Sequence, residues 1–144
     1  MNEVFMSALY RARVSADNGR NGQVRSDDGL LQLAIAMPTA LGGQGAATNP
    51  EQLFAAGYAA CFSSAAQFVA GMQKLQVGAI PVTAEVGLHK QEVGFGLSVK
   101  LEAQVDLPQE QARELIATAH QVCPYSNATR GNISVEVWVN GQPL

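Results

Sequence analysis

Apolar and polar residues alternate along this chain with two different periods, and the changes of period mark its elements. Tyr10 to Ala16 alternate weakly, and Asp17 to Gly22 (DNGRNG) then holds two Asn-Gly steps, the strongest short signal for a hairpin turn. A second turn, SDDG, leads into LLQLAIAM (Leu30 to Met37), which reads as another strand ended by Pro38. The glycine-rich loop LGGQGAATNP follows (Leu41 to Pro50). From Leu53 to about Leu75 the chain is apolar nearly all round, with Gln67 the main polar exception before Gln73 and Lys74. Thr48 or Asn49 is a good N-cap for that helix, Pro50 suits its first position, and Thr48-x-x-Glu51 reads as a capping box. Period two then returns. Val82, Ala84, Val86 and Leu88 share one face, as do Phe95, Leu97, Val99, Leu101, Ala103 and Val105, with QEVGFG as the turn between them. Asp106 and Pro108 open a second helix, amphipathic through Ala112, Leu115, Ile116 and Ala119, and Pro124 stops it. NISVEVWVNG supplies the last strand. Strands, helix, strands, helix, strand is the order of an α+β fold, with antiparallel sheet on one side and helices on the other.

A length of 144 residues fits one domain spanning 1–144, without room for a second core. Nine Lys/Arg stand against twelve Asp/Glu, and no basic run or aromatic-interleaved patch appears, which argues against a nucleic-acid partner. The first residues, MNEVFMSALYRARV, lack the apolar stretch of a signal peptide, and no window of about 18 apolar residues marks a membrane span. These features place the protein in the cytoplasm, away from membranes. In that reducing compartment its two cysteines are not expected to form a stable structural disulfide.

Each candidate residue has an ordinary explanation. Cys61, mid-helix and among apolar neighbours, reads as a small buried hydrophobe whose pKa burial alone would raise. A reactive Cys61 therefore needs a cation, and only nine are available: Arg11, Arg13, Arg20, Arg25, Lys74, Lys90, Lys100, Arg113 and Arg130. Arg20 stands out because it lies inside a turn where smaller residues would do, although a solvated loop arginine is the simpler reading. Glu51 reads first as a helix-capping carboxylate. His120 and Cys123 are spaced as a metal pair without a second pair to complete a tetrahedral site. The glycine-rich loop could cradle an anion but lacks the Lys of a nucleotide P-loop.

Taken together, NGRNG around Arg20, TNPEQLFAAGYAACF around Glu51 and Cys61, and VCPYSNATRGNI around Cys123 resemble the OsmC/Ohr family, in its organic hydroperoxide resistance branch. The likeness spans essentially the whole chain, with Asp17-Asn18 replacing a more usual Gly-Gly type turn. It implies antiparallel sheets wrapped around central helices in an intertwined homodimer. It also implies a cysteine-based peroxidase that reduces organic hydroperoxides to alcohols without a cofactor. By this resemblance Cys61 is the peroxidatic thiol, Cys123 the resolving thiol, and Arg20 and Glu51 the polar pair that activates Cys61. The reductant would be a dihydrolipoyl-type dithiol.

The residues agree with such a cycle. Arg20 would favour the Cys61 thiolate by opposite charge, and Glu51 would orient the guanidinium. Cys123, at a helix C-terminus where the dipole disfavours a thiolate, suits the second step. Cys61, in mid-helix, would depend on Arg20 alone. Glu51 and Cys61 lie ten residues apart, about 15 Å along a straight helix. Either the helix breaks near Gly57, or Arg20 and Glu51 serve the Cys61 of a second subunit. The second is preferred, because Ala56, Gly57, Ala60, Ser63, Ser64, Ala70 and Gly71 would let another helix approach closely. Phe54, Phe62, Phe68 and the methionines are candidates for apolar site walls, with Val122 and Tyr125 beside Cys123. The alternatives are a broader-specificity peroxidase of the osmotically inducible branch and a non-catalytic thiol redox sensor.

Overall fold

The computed structural model describes residues 7–144, so for positions 1–6 the leader reading lies outside the described residues. The chain forms two compact units, Met1–Pro50 and Glu51–Leu144. In the first, β1 (Val14–Ala16), β2 (Gly22–Ser26) and β3 (Gln32–Ile35) form an antiparallel sheet in that order. The Asn-Gly hairpin is where the sequence placed it. Ala16 pairs with Val24, and the turn is closed by Asp17 N–H donating to the Gln23 carbonyl. The strand expected over Leu30 to Met37 is shorter at both ends, because Ser26 and Asp28 bind the backbone N–H groups of Leu31 and Leu30 into a turn. A 3-10 turn (Thr39–Leu41) opens the glycine-rich loop. Gly42, Gly43 and Gly45 donate to the carbonyls of Thr39, Pro38 and Met37, so these amides hold the loop together rather than pointing at an anion.

The second unit is built on α1 (Pro50–Met72), which starts at the expected proline. It ends where Lys74 takes φ +58° while Lys74 and Leu75 donate to Gly71 and Ala70, the paired bonds of a Schellman stop with lysine in the usual glycine place. β4 (Val82–Lys90) and β5 (Phe95–Ala103) form a nine-residue hairpin, followed by α2 (Gln109–Val122), α3 (Pro124–Thr129), β6 (Val135–Val139) and β7 (Gln142–Pro143). The sheet order is β4-β5-β6-β7. One ladder departs from the antiparallel expectation: β6 runs parallel to β5, because α2 and α3 carry the chain back before it re-enters the sheet. β7 was not expected. The Asn140-Gly141 step, with both residues at positive φ, is a hairpin turn that returns the chain to pair with β6.

One core joins these elements. Tyr58, Phe62, Ala66 and Val69 of α1 meet Val99, Leu101 and Ala103 of β5, Leu115, Ile116 and Ala119 of α2, and Val137 and Val139 of β6. Each fully buried large side chain, such as Leu101 or Ile116, contributes about 2 kcal/mol. The predicted apolar faces of β5 and α2 are buried as expected, apart from Phe95 and Leu97 at the hairpin end, which are exposed and half-buried. α1 behaves differently. It buries a single stripe (Tyr58, Phe62, Ala65, Ala66, Val69, Ala70), while Ala56, Ala60, Ser64, Phe68, Gly71 and Met72 lie exposed on the chain. By mean hydropathy, 1.4 over an 18-residue window, α1 is long and apolar enough to cross a membrane, contrary to the sequence reading. Such a helix is more often the core helix of a soluble domain, and α1 packs one stripe into this core.

Candidate active site

Pro124 makes the corner on which the site stands. A residue before proline is pushed out of helical ψ, and Cys123 accordingly takes φ −62°, ψ 123°. α2 ends there, Cys123 N–H donating to the Ala119 carbonyl. Proline also suits the first position of a helix, so α3 starts at once, with Cys123 as its N-cap. The sequence reading saw Pro124 only as a stop. The Cys-Pro-x-Ser pattern, a capping residue followed by proline, was the available signal for the restart.

That corner delivers the Cys123 sulfur to α1. Cys123 Sγ lies 3.8 Å from Cys61 Sγ, although the residues are far apart in sequence. No disulfide joins them, Cys123 is fully buried, and Cys61 is half-buried. Both sulfurs meet the first turn of α3. Ser126 N–H donates to Cys123 Sγ at 3.5 Å, and the Tyr125 backbone N–H faces Cys61 and favours its thiolate. Burial pushes the Cys61 thiol above its ordinary pKa, the Tyr125 N–H opposes this, and neighbouring Cys123 raises it further. The expectation that Cys61 receives no helix-terminal help is therefore corrected: α3 supplies a backbone donor. Cys123 likewise has a donor of its own, although it sits at the C-terminus of α2.

Ser126 anchors this turn from below. Its Oγ lies 2.7 Å from His120 Nδ1 and 2.9 Å from the Tyr58 hydroxyl, and Tyr58 also reaches Thr129 Oγ1 at 3.2 Å. Thr129 in turn donates to the Ser126 carbonyl. Ser126 and Tyr58 are fully buried. Arg130 closes the corner from outside, donating to the His120 carbonyl and to Asn127 Oδ1, each at 2.6 Å. Burial, then the Arg130 charge, lowers the pKa of His120. His120 thus belongs to a hydrogen-bonded network, and among the described residues no three His, Cys, Asp or Glu converge as a metal site.

Of the expected wall residues, Phe54 and Tyr125 line an open groove of about 820 Å³ with Phe95, Leu97 and Ile133. Neither sulfur lines it, but Tyr125 joins the two places, its ring in the groove and its N–H facing Cys61. Phe62 is fully buried, and Phe68 and Val122 face solvent. Gly57, expected to admit another helix, instead receives Tyr125: a Cβ there would lie 2.5 Å from the tyrosine oxygen. α1 is unbroken at Gly57, which removes one of the two ways of reconciling Glu51 with Cys61. Arg20 is half-buried in a turn whose neighbours Asn18, Gly19 and Asn21 are exposed, and both Arg20 and Glu51 are engaged by partners. A free, solvated Arg20 is thereby set aside.

Residues 43–137 match the family described as OsmC-like protein. The chain is 47% identical over 133 residues to organic hydroperoxide resistance protein OhrB of Bacillus subtilis, covering 90% of this chain and 97% of that protein. This chain belongs to the OsmC/Ohr family. It is also 47% identical to the organic hydroperoxide resistance protein of Xanthomonas axonopodis pv. citri, over 88% of this chain and 92% of the relative. The solved structure of Bacillus subtilis OhrB superposes with a TM-score of 0.83 at 46% identity, covering 92% of this chain and all of that one. An organic hydroperoxide resistance protein from Legionella pneumophila superposes at 0.90, with 54% identity over 92% of this chain and 98% of that one. These relatives are of the organic hydroperoxide resistance branch, and the α+β architecture is that of the family.

Proposed function

We propose that this protein is a thiol peroxidase that reduces organic hydroperoxides to alcohols. The observation that carries the reading is the 3.8 Å separation of the Cys61 and Cys123 sulfurs. The names of the relatives, which tie them to organic hydroperoxide resistance, point the same way. Cys61, the more exposed sulfur, attacks the distal peroxide oxygen as a thiolate; the O–O bond breaks, an alcohol leaves, and Cys61 becomes a sulfenic acid. Cys123 then condenses with it, releasing water and forming a disulfide. A dihydrolipoyl-type dithiol reduces that disulfide by exchange, so that in a reducing cytoplasm the pair rests as two thiols.

Burial works against the Cys61 thiolate, and one backbone N–H does not reverse it. Arg20 supplies the missing positive charge in this reading, and Glu51 orients the guanidinium by paired hydrogen bonds. The unbroken course of α1 favours a homodimer in which Arg20 and Glu51 of one copy serve Cys61 of the other. The exposed, small-residue face of α1 is the surface on which a second copy would pack. The apolar groove beside Tyr125 suits the organic part of the substrate better than hydrogen peroxide, which has no apolar part to bury.

Reaction with one equivalent of an alkyl hydroperoxide, followed by mass spectrometry, tests this. Wild type should consume the peroxide and gain the Cys61–Cys123 disulfide. Cys61→Ser should abolish consumption, whereas Cys123→Ser should react once and stall as a sulfenic or overoxidised species. A Cys61→Ser variant that still consumes the peroxide would refute the assignment.

A further inference from the structure

The fully buried pair Tyr58 and Ser126 has no part in the cycle above, yet with His120 and Thr129 it forms one continuous chain directly beneath Cys123. Its polarity follows from its end. A carbonyl only accepts, so the Thr129 hydroxyl proton is used on the Ser126 carbonyl. Tyr58 O–H must then donate to Thr129, Ser126 O–H must donate to Tyr58, and the remaining Ser126 lone pair accepts from His120 Nδ1–H. Each hydroxyl donates once and accepts once. All four contacts are made together only in this direction, which puts the His120 proton on Nδ1; the reverse gives up the Thr129 bond to a carbonyl that also accepts the Arg130 N–H at 2.9 Å. It loops back onto the residue in its middle, so both the side chain and the carbonyl of Ser126 are clamped. The N–H of that residue is the one that meets Cys123 Sγ.

We propose that Ser126, clamped by His120 and Tyr58, is a positioning residue for the resolving thiol, presenting Cys123 for ring closure and receiving it again as a leaving group. This rests on the peroxidase reading and deepens it. In closure, Cys123 sulfur attacks the Cys61 sulfenic sulfur; its own proton and the departing hydroxide leave as water. The sulfurs must close from 3.8 Å to about 2.05 Å, so Cys123 has to be aimed and still able to leave a weak hydrogen bond at 3.5 Å. In reduction, the half-buried Cys61 sulfur is the one a donor dithiol can reach, since Cys123 is fully buried. Attack there forms a donor–Cys61 mixed disulfide and expels Cys123 as a thiolate onto the Ser126 N–H. The second donor thiol then releases Cys61, the dithiol having given two electrons. A better-stabilised leaving thiolate speeds that exchange.

The test separates the two phases of a single turnover with tert-butyl hydroperoxide: peroxide loss, and disulfide closure read by acid quench and mass spectrometry. In Ser126→Ala, closure should slow about ten-fold relative to peroxide loss, the worth of one buried hydrogen bond, and overoxidised Cys61 should accumulate. Tyr58→Phe and His120→Leu should do the same, and His120→Asn, whose amide N–H replaces Nδ1–H, should restore closure. These three variants keep the claim testable if Ser126→Ala does not fold. Closure that keeps pace with peroxide loss in every variant, an equal slowing of both phases, or His120→Asn no better than His120→Leu would each overturn the proposal. The same variants are compared with diamide, which closes the pair without peroxide. If wild type ignores the hydroperoxide, the peroxidase reading fails, and the diamide rates alone decide the positioning role.

Discussion

At the scale of single residues, the site shows that one side chain is tuned by what surrounds it rather than by its type. His120 is held below its ordinary pKa of 6.5 by burial and then by Arg130, while its Nδ1–H is committed to Ser126. In the folded protein it stays neutral at pH values where the unfolded imidazole already takes a proton. Its contribution to stability is therefore present above pH 6.5 and is lost as pH falls through the depressed folded value. Urea unfolding at about pH 7.5 and about pH 5.5 should show wild type losing more stability than His120→Asn across that interval. Equal losses would assign the titration elsewhere. Cys61 shows the same dependence with the opposite emphasis: the apolar surroundings that make it look inert in the sequence do raise its pKa, and only groups brought from elsewhere oppose this.

At the scale of elements, α3 is the piece the sequence reading missed, and it is the piece that touches both sulfurs. Six residues are too few to show a helical period, and Pro124 masked the start of one helix by ending another. Gly57 was legible as a close-contact position, but its partner was misassigned. Helix propensity alone predicts that Gly57→Ala stabilises α1 by about 0.5–1 kcal/mol. The new Cβ would instead meet the Tyr125 hydroxyl oxygen at 2.5 Å and two of its ring carbons at 3.0 and 3.2 Å. That ring is itself braced against Phe54 and Tyr58. Chemical denaturation should therefore show a net loss of stability, and a measured gain would mean that Tyr125 swings clear without cost.

At the scale of the whole molecule, α1 is an apolar helix that packs one stripe into the core of its own unit. Phe68, off the buried stripe, is 59% exposed, and Met72, at the C-terminal end of the helix, is 67% exposed. The proposed homodimer would bury the exposed face of the helix. Phe68→Asp should then weaken self-association at least about ten-fold, read as a shift toward monomer in sedimentation, because an unpaired charge would be buried at a close helix contact. Peroxide turnover should fall with it, since Arg20 and Glu51 would no longer reach the opposite Cys61. Unchanged association would leave α1's exposed face with some other role and would remove the argument for sharing residues between copies.

What the amino-acid order determined by itself is what repeats or punctuates locally. The Asn-Gly hairpin, the start of α1 at Pro50, the buried faces of β5 and α2, and two cysteine motifs specific enough to identify the family were all readable from residue types and their spacing. Only the tertiary structure decided what depends on direction and distance. It put β6 parallel to β5, turned Cys123 from a helix end into a helix start, and placed backbone N–H groups of Tyr125 and Ser126 against the two sulfurs. The reason is physical: every residue except proline carries the same backbone N–H, so no residue type announces where that N–H will point. That is set when α3 packs against α1.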